Sequence, residues 1–225
     1  YASVAHTYKI ESKIKTPGIY MDIMGNKATA YGFIAAAEKA GLKLFLGSYP
    51  ITPATDVLHE LSKHKSLGVI TVQCEDEISG CATAIGASFA GALAVTTTSG
   101  PGVCLKSEAM NLAVITELPL VVLNVQRGGP STGLPTKSEQ TDLLQALFGR
   151  NGESPMPVIA ATSPTNCFDA AYAACKMALE HMTPVVLLTD GFVANGSGSW
   201  KLPNLDTYPE IKPQYVRSEE RRVGK

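Results

Sequence analysis

Short runs rich in Val, Ile and Leu alternate with small-residue or amphipathic segments along the chain from Ala28 onward. This alternation is typical of repeated βα units, because a buried strand needs an apolar run and the helix after it covers one face of the sheet. The apolar runs predict strands at residues 42–46, 68–73, 93–97, 120–125, 158–161 and 185–189. The segments between them predict helices at residues 28–40, 54–64, 77–90, 106–116, 142–148 and 167–181.

The run Pro184-Val185-Val186-Leu187-Leu188 shows no polar alternation. Uninterrupted apolar strands are typical of parallel sheets that helices cover on both faces. We therefore predict an α/β fold with a doubly wound, mostly parallel sheet. Such sheets bind ligands beyond the carboxyl ends of their strands, so the chemistry is expected in the loops at residues 47–55, 74–80, 98–102 and 127–137.

The two ends of the chain lack this pattern. Residues 1–24 are interpreted as an N-terminal linker or extension, and residues 25–200 as the folded domain. Residues 201–225 carry prolines and charges without an apolar period, which is typical of a linker, here one leading to a C-terminal domain that the sequence does not include. Residues 217–225 also resemble the translation of a common sequencing adapter, which would make that stretch an artefact.

Composition narrows the classes of function. The 225 residues carry a formal net charge of -1, without the basic stripe that nucleic-acid binding requires. No apolar run reaches the ~18 residues needed to span a bilayer, and residues 1–20 contain no secretory core, so we expect a cytoplasmic protein without a membrane segment. The five cysteines have no CxxC spacing, which predicts buried thiols and no metal or iron–sulfur site on this chain.

The loop Tyr49-Pro50-Ile51-Thr52-Pro53 contains two prolines, which fix φ twice and make the loop rigid. Pro53 is suited to the first position of a helix, which would place Thr52 among free N–H groups. Thr52 could there help to bind an anion, because helix starts attract negative charge. The alternative is a threonine that only caps its own helix.

Three carboxylates lie in Gln73-Cys74-Glu75-Asp76-Glu77, after a predicted strand and at the start of a predicted helix. An acidic helix start is favourable by itself, since the helix dipole offsets part of the charge repulsion. The helix continues with small residues at helical spacing, namely Gly80, Ala84, Ala87, Ser88 and Gly91. Such a face allows close approach either of a cofactor or of another backbone element.

Two further loops follow predicted strands. Thr98-Ser99-Gly100-Pro101-Gly102 offers hydroxyls and bare N–H groups to a ligand, but it matches neither the P-loop nor the GxGxxG pattern. Arg127 opens a loop rich in glycine and proline, and a guanidinium at a strand end can hold a carboxylate through two parallel hydrogen bonds. A surface ion pair is the alternative for Arg127. The Asp190-Gly191 pair lacks the context of a magnesium–diphosphate motif and is interpreted as a turn.

Together these motifs resemble the α subunit, or α region, of the 2-oxoacid:ferredoxin oxidoreductases over residues 25–209. The resemblance rests on the loop from Tyr49 to Pro53, on Glu77 with its small-residue helix, on Thr98-Ser99-Gly100-Pro101-Gly102 and on Arg127-Gly128-Gly129-Pro130-Ser131-Thr132-Gly133. The stretch that follows, Leu134-Pro135-Thr136-Lys137-Ser138-Glu139-Gln140, is most similar to the 2-oxoglutarate branch, with the pyruvate and branched-chain 2-oxoacid enzymes as close relatives.

In that family this domain binds the pyrimidine ring of thiamine diphosphate. The resemblance implies that Glu77 is the catalytic residue that exchanges a proton with the ring, with Glu75 as the fallback. Thr52 and Arg127 match the positions that orient the substrate carboxylate, and Lys106 and Lys137 are candidates for the distal carboxylate of 2-oxoglutarate. The implied cofactor contacts are Tyr49, Pro50, Ile51, Glu77, Ser99, Gly100, Pro101 and Gly102.

The resemblance also implies partner chains. A β subunit is expected to hold the diphosphate through Mg²⁺ and to carry an iron–sulfur cluster. A γ subunit or domain, ferredoxin and coenzyme A complete the oxidative decarboxylation to an acyl-CoA, so this chain is expected to form half of the active site. Two alternatives stay open: the pyrimidine half of another thiamine enzyme, such as a decarboxylase or a transketolase-like protein, and a noncatalytic flavodoxin-like interaction module.

Overall fold

The computed structural model describes residues 16–214, which form eight β-strands, eight α-helices and two short 3-10 helices. The strands are β1 (Tyr20–Met24), β2 (Leu44–Ser48), β3 (Val69–Gln73), β4 (Leu93–Thr98), β5 (Leu120–Gln126), β6 (Val158–Ala160), β7 (Pro184–Asp190) and β8 (Ser197–Lys201). The helices are α1 (Gly25–Ala40), α2 (Thr55–Leu61), α3 (Glu77–Phe89), α4 (Gly100–Leu105), α5 (Ser107–Ile115), α6 (Leu143–Phe148), α7 (Asn166–His181) and α8 (Gly191–Asn195). Residues 1–15 and 215–225 lie outside the described part, and with them the adapter-like stretch at residues 217–225.

Six of the strands form one parallel sheet in the order β3-β2-β4-β5-β7-β6. The predicted α/β fold with a doubly wound, mostly parallel sheet is thereby confirmed. Because β2 lies between β3 and β4, the chain runs from β2 to β3 in one direction and then crosses to β4 on the other side. This reversal creates a crevice beyond the carboxyl ends of β2 and β4, where open parallel sheets bind ligands.

Helices cover both faces of the sheet. In β5, Val121, Leu123 and Val125 pack into the core that α1 and α7 share, whereas Leu120 and Val122 pack into the core that α3 and α5 share. This alternation follows from the two-residue period of a strand. Burial of each large apolar side chain contributes roughly 1.5–3 kcal/mol, so the two cores hold the sheet rigid beneath its carboxyl edge.

A β-ribbon lies at the predicted domain boundaries. β1 and β8 pair antiparallel, with Met21 opposite Trp200. Residues 20–24 and 201, which the sequence predicted as parts of linkers, therefore belong to this ribbon, and Ile211 is buried in the same core as Trp200. The ribbon was missed because only Ile23 in β1 and Trp200 in β8 are buried, so no apolar run marks either strand.

α4 and α8 were also missing from the predicted elements. α4 begins with Gly100-Pro101-Gly102, which suggested a turn, but proline is tolerated in the first turn of a helix. α8 begins after Asp190, whose Oδ1 accepts hydrogen bonds from the N–H groups of Phe192 and Val193 at 2.7 and 3.1 Å. The predicted turn at Asp190 is therefore a helix cap.

The small residues of α3 allow the helix to pack closely on the sheet. A Cβ on Gly47 of β2 would overlap the carbonyl oxygen of Gly80 and lie 2.6 Å from Thr83 Oγ1. Ser88, two turns after Gly80, is buried, and its Oγ donates to the carbonyl of Pro119 at 2.7 Å. This face therefore makes the close approach to another backbone element that the sequence predicted.

Candidate functional site

The site is built where β2 and β4 end side by side. Ser48 and Thr97 share a hydrogen bond of 2.5 Å between their hydroxyl oxygens, and one residue later Tyr49 and Thr98 share another of 2.9 Å. Ser48, Thr97 and Thr98 are fully buried, and Tyr49 is 5% exposed. These hydroxyl pairs couple the proline loop, residues 49–53, to the end of β4.

Three side chains meet at Gly102, in the first turn of α4. A Cβ on Gly102 would overlap Thr98 Oγ1 and the hydroxyl of Tyr49, and it would lie 2.9 Å from Glu77 Cγ. Only a residue without a side chain leaves room for all three groups. The loops after β2 and β4 and the start of α3 therefore converge at one place on the carboxyl edge, as the sequence predicted.

Glu77 is the first residue of α3, and Asp76 fixes the helix start around it. The Asp76 carboxylate accepts from the N–H of Ser79 at 2.8 Å, and the Ser79 hydroxyl accepts from the N–H of Asp76 at 3.2 Å, which is a reciprocal capping box. Glu77 is half-buried beside Tyr49, whereas Glu75 is exposed and precedes the cap. The geometry therefore favours Glu77 over Glu75 as the carboxyl group that lies where these loops meet.

Tyr49 places a neutral hydroxyl beside Glu77. Burial raises the pKa of Tyr49 above its ordinary value, the hydrogen bond with Thr98 lowers it, and the Glu77 carboxylate raises it further. The net effect is an increase, so Tyr49 keeps its proton throughout the physiological pH range. A phenol can donate one hydrogen bond and accept another, which allows Tyr49 to hold the Glu77 carboxyl group in either protonation state.

Arg127, directly after β5, reaches the proline loop. Its Nη1 donates to the carbonyl of Thr52 at 2.7 Å and its Nη2 to the carbonyl of Thr132 at 2.8 Å. Arg127 is 7% exposed and takes part in none of the ion pairs found within residues 16–214, so the surface ion pair is the wrong alternative. Within residues 16–214 its Nε is buried and has no hydrogen-bond partner, so the guanidinium keeps at least this donor for a ligand.

Thr52 and Arg127 are thus brought together, but through the main-chain carbonyl of Thr52. The predicted cap is wrong, because α2 begins at Thr55 rather than at Pro53 and has no side-chain cap from Thr52. Thr55 Oγ1 accepts from the N–H of Ile51 at 2.8 Å and so closes the proline loop from within. Thr52 is exposed at the end of this loop.

The remaining predicted cofactor contacts lie in the proline loop and at the start of α4. In the proline loop, Pro50 is exposed and Ile51 is half-buried. Ser99 is fully buried just before α4, and its Oγ has no hydrogen-bond partner in the described part of the chain. Gly100 and Pro101 line a cleft of about 670 Å³ that extends to the loop after β5. The unpaired Ser99 hydroxyl is a group that a bound ligand can satisfy.

Lys106 has a different place from the one that the sequence suggested. As a candidate for a substrate carboxylate it should face the cleft, yet it is fully buried, and its Nζ donates to the main-chain carbonyl of Glu77 at 2.8 Å and to Thr96 Oγ1 at 3.1 Å. Nζ also lies 5.1 Å from the centre of the Tyr49 ring. Burial lowers the pKa of Lys106 to about 8. Lys137, the other candidate, is exposed, and sequence alone gives no signal that separates these two lysines.

The cysteines lie away from this arrangement or at its margin. Cys81, Cys167 and Cys175 are buried, as predicted, whereas Cys74 is half-buried and Cys104 is exposed, where the prediction is wrong. Within residues 16–214, no three His, Cys, Asp or Glu side chains are grouped so that they could hold a metal ion. None of the helices in that range combines the length and the apolar character needed to cross a bilayer.

Known proteins resemble this chain in sequence. Residues 35–224 match the family described as pyruvate flavodoxin/ferredoxin oxidoreductase, thiamine diphosphate-binding. Over 214 residues the chain is 58% identical to the 2-oxoglutarate oxidoreductase subunit KorA of Mycobacterium tuberculosis, covering 95% of this chain and 33% of that protein. Over 184 residues it is 42% identical to the 2-oxoglutarate synthase subunit KorA of Archaeoglobus fulgidus, covering 81% of this chain and 52% of that protein.

A solved structure resembles the chain in fold as well. It is the 2-oxoglutarate:ferredoxin oxidoreductase from Magnetococcus marinus with 2-oxoglutarate, coenzyme A and succinyl-CoA bound, and it matches with a TM-score of 0.84 and 36% identity. The match covers 92% of this chain and 36% of that one. The chain thus spans about a third to a half of the length of these relatives.

Proposed function

Because this chain belongs to the thiamine diphosphate-binding family of the pyruvate flavodoxin/ferredoxin oxidoreductases, we propose that it forms the pyrimidine-side half of the active site in a 2-oxoacid:ferredoxin oxidoreductase. The proposal rests on the meeting of Tyr49, Thr98 and Glu77 around Gly102, at the switch point of the sheet. The proposed reaction is oxidative decarboxylation of a 2-oxoacid to an acyl-CoA, with the electrons passed to ferredoxin.

The residues where the proline loop, α3 and α4 meet suit a pyrimidine ring. Glu77 supplies a carboxyl group, Tyr49 a neutral phenol and Ser99 an unpaired buried hydroxyl, while Pro50 and Ile51 supply apolar contact. The backbone from Ser99 to Gly102 allows close approach because it carries little side-chain bulk. When bound, thiamine diphosphate supplies the nucleophilic carbon and the electron sink for decarboxylation. Glu77 holds and transfers a proton at its carboxylate oxygen, which is a general acid–base role.

Arg127 and Thr52 orient the substrate carboxylate in this proposal. The carbonyls of Thr52 and Thr132 fix the guanidinium, so its free Nε–H points in one direction before the substrate arrives. A donor that is already oriented loses little conformational entropy on binding. The same contact explains why the rigidity of the proline loop matters, because a movement of Thr52 would also move the guanidinium.

We propose 2-oxoglutarate as the substrate. The names of both relatives and of the solved structure refer to 2-oxoglutarate. This acid has two carboxylates, and Arg127 accounts for one of them. Since Lys106 is buried against Glu77, the distal carboxylate is left to Lys137, which is exposed, or to a partner chain.

A β subunit completes the site in this proposal, holding the diphosphate through Mg²⁺ and carrying the iron–sulfur cluster, and a γ subunit or domain belongs to the same complex. Exposed apolar side chains near the cleft support a partner on this face. They are Ile78 on α3, Leu105 on α4, and Leu143 and Leu144 on α6. Apolar side chains that are exposed together are typical of protein interfaces.

The proposed reaction is tested with the complex assembled from this subunit and its partner chains. Coenzyme A-dependent reduction of a viologen dye is measured with 2-oxoglutarate, pyruvate and a branched-chain 2-oxoacid. We expect kcat/KM for 2-oxoglutarate to exceed the others at least ~10-fold, because an acid without the distal carboxylate leaves its charged partner unpaired. A preference for pyruvate would overturn the assignment of 2-oxoglutarate as the substrate. The absence of dye reduction with every 2-oxoacid would overturn the proposed class of reaction.

Arg127→Lys is expected to raise KM for 2-oxoglutarate at least ~10-fold, with a smaller effect on kcat, because the charge remains but the planar fork of donors is lost. The concentration of thiamine diphosphate needed for half-maximal activity should stay unchanged. Arg150→Lys is the matched control, since Arg150 also holds main-chain carbonyls, those of Ala146 and Ser154, at a distance from the proline loop. An unchanged KM in Arg127→Lys would show that Arg127 only connects two loops and does not bind the substrate.

A further inference from the structure

We propose that Lys106 is a positioning residue for Glu77, holding the start of α3 at a fixed place over β4 through its bonds to the Glu77 carbonyl and to Thr96. The inference deepens the proposed function and rests on the catalytic role given there to Glu77. Lys106 does not enter the cleft, so its contribution acts through the position of another residue.

Lys106 contacts three parts of the site. Its Nζ contacts α3 at the carbonyl of Glu77 and β4 at Thr96 Oγ1, and it lies over the ring of Tyr49 in the proline loop. The capping box of Asp76 and Ser79 joins residues three apart, so it stabilises the helix start without fixing its place relative to the sheet. The bond from Lys106 spans 29 residues and, together with the close packing of α3 on Gly47 of β2, fixes the helix start relative to the sheet.

The energetics argue against a purely structural role. A fully buried lysine loses hydration, and an unbranched apolar side chain such as methionine would fill a similar volume without that cost. Some residues lower the stability of the fold at a position where an apolar side chain would fit. Such a residue is a candidate for a functional role when it lies beside a reacting group. Displacements of about 1 Å at a catalytic group are enough to slow turnover by up to ~100-fold.

Burial and four neighbouring groups determine the pKa of Lys106. Cys81, Glu77, Cys74 and Asp76 favour the charged amine, while burial opposes it more strongly and lowers the pKa to about 8 from 10.5. Below pH 8 the amine is charged in both the folded and the unfolded chain, so the full cost of burying the charge applies. Between pH 8 and 10.5 the folded chain gives up its proton first, and the cost declines as the pH rises.

The test compares Lys106→Met with the wild type in the assembled complex. We expect kcat with 2-oxoglutarate to fall at least ~10-fold, KM to change less than ~2-fold, and the thermal midpoint at pH 7 to rise by a few degrees or more. The gain in thermal midpoint over the wild type should shrink as the pH is raised from 7 to 10. Comparison at each pH cancels the contributions of titratable groups that do not interact with Lys106.

Thr96→Val removes one acceptor of Lys106 and leaves the bond to Glu77. It is expected to lower kcat about threefold, and the double variant should be no slower than Lys106→Met, since coupled contacts are not additive. Lys43→Met, which changes an exposed lysine far from the cleft, is the control and should alter neither kcat nor the midpoint.

The inference is overturned if Lys106→Met keeps kcat within ~2-fold, or if its thermal midpoint falls together with kcat, because the lysine would then serve only the fold. Glu77→Gln, assayed in parallel, separates this result from failure of the proposed function. Full activity in Glu77→Gln removes the catalytic role on which the inference rests. An inactive Glu77→Gln beside an active Lys106→Met overturns the inference alone.

Discussion

Glu77→Gln is expected to lower 2-oxoacid- and coenzyme A-dependent viologen reduction by at least ~100-fold in the assembled complex, the usual scale for a general acid–base group. Glutamine has the shape of glutamate and can still occupy the first position of α3, where the capping box of Asp76 and Ser79 fixes the helix start independently. The amide cannot hold or transfer the proton. The loss should therefore appear in kcat, with the thermal midpoint of the complex close to that of the wild type.

Glu75→Gln is the matched control for this substitution. Glu75 lies two residues earlier in the same acidic segment, but it is exposed and precedes the helix cap. We expect its turnover to stay within ~2-fold of the wild type, since a neutralised surface carboxylate has little effect beyond local screening. If Glu75→Gln were inactive and Glu77→Gln active, the catalytic carboxyl group would be reassigned to Glu75.

The sheet could be predicted from sequence because a parallel strand covered on both faces must be apolar throughout. Every residue of β5 and β7 is buried, and both strands were predicted to within one residue at each end. β2 was predicted two residues early, because Leu42 is apolar but lies in the turn after α1. The strands of the ribbon, β1 and β8, bury one residue each, so the same rule could not find them.

The meeting of the loops could be predicted as well, because parallel strands end at a common edge. Glu77 and Arg127 were expected at this edge for this reason, and both lie there. The contacts themselves could not be predicted. Arg127 is held by the main-chain oxygen of Thr52, and every residue type supplies such an oxygen. Lys106 is buried only because α4 turns it toward the sheet, and α4 was itself taken for a turn.

At Gly102 the sequence indicated a ligand-binding loop but not the role of the glycine in packing. The sequence predicted a loop there that offers hydroxyls and bare N–H groups to a ligand. In the structure the missing side chain first makes room for the protein, since Tyr49, Thr98 and Glu77 occupy the space around it. The same glycine therefore controls both the hydrogen bond between Tyr49 and Thr98 and the approach of Glu77 to that pair.

Gly102→Ala is expected to lower kcat/KM by at least ~100-fold and to destabilise the domain by about 1–3 kcal/mol, the usual range for an overpacked site. The added Cβ would overlap Thr98 Oγ1 and the Tyr49 hydroxyl and lie 2.9 Å from Glu77 Cγ. Tyr49 and Thr98 are both buried, so neither can move aside without breaking their hydrogen bond. Steady-state kinetics and thermal unfolding of the assembled complex measure the two effects.

Gly86→Ala separates the steric effect from the general consequences of replacing glycine in a helix. Gly86 lies within α3, where an added Cβ would meet nothing within 4 Å, so alanine should leave activity unchanged and stabilise the helix by roughly 0.5–1 kcal/mol. If Gly102→Ala matched Gly86→Ala in activity, Tyr49 and Thr98 could yield without consequence, and their meeting with Glu77 would not be the centre of the site. A loss of activity in Gly102→Ala alone would show that catalysis depends on the close packing at the switch point of the sheet.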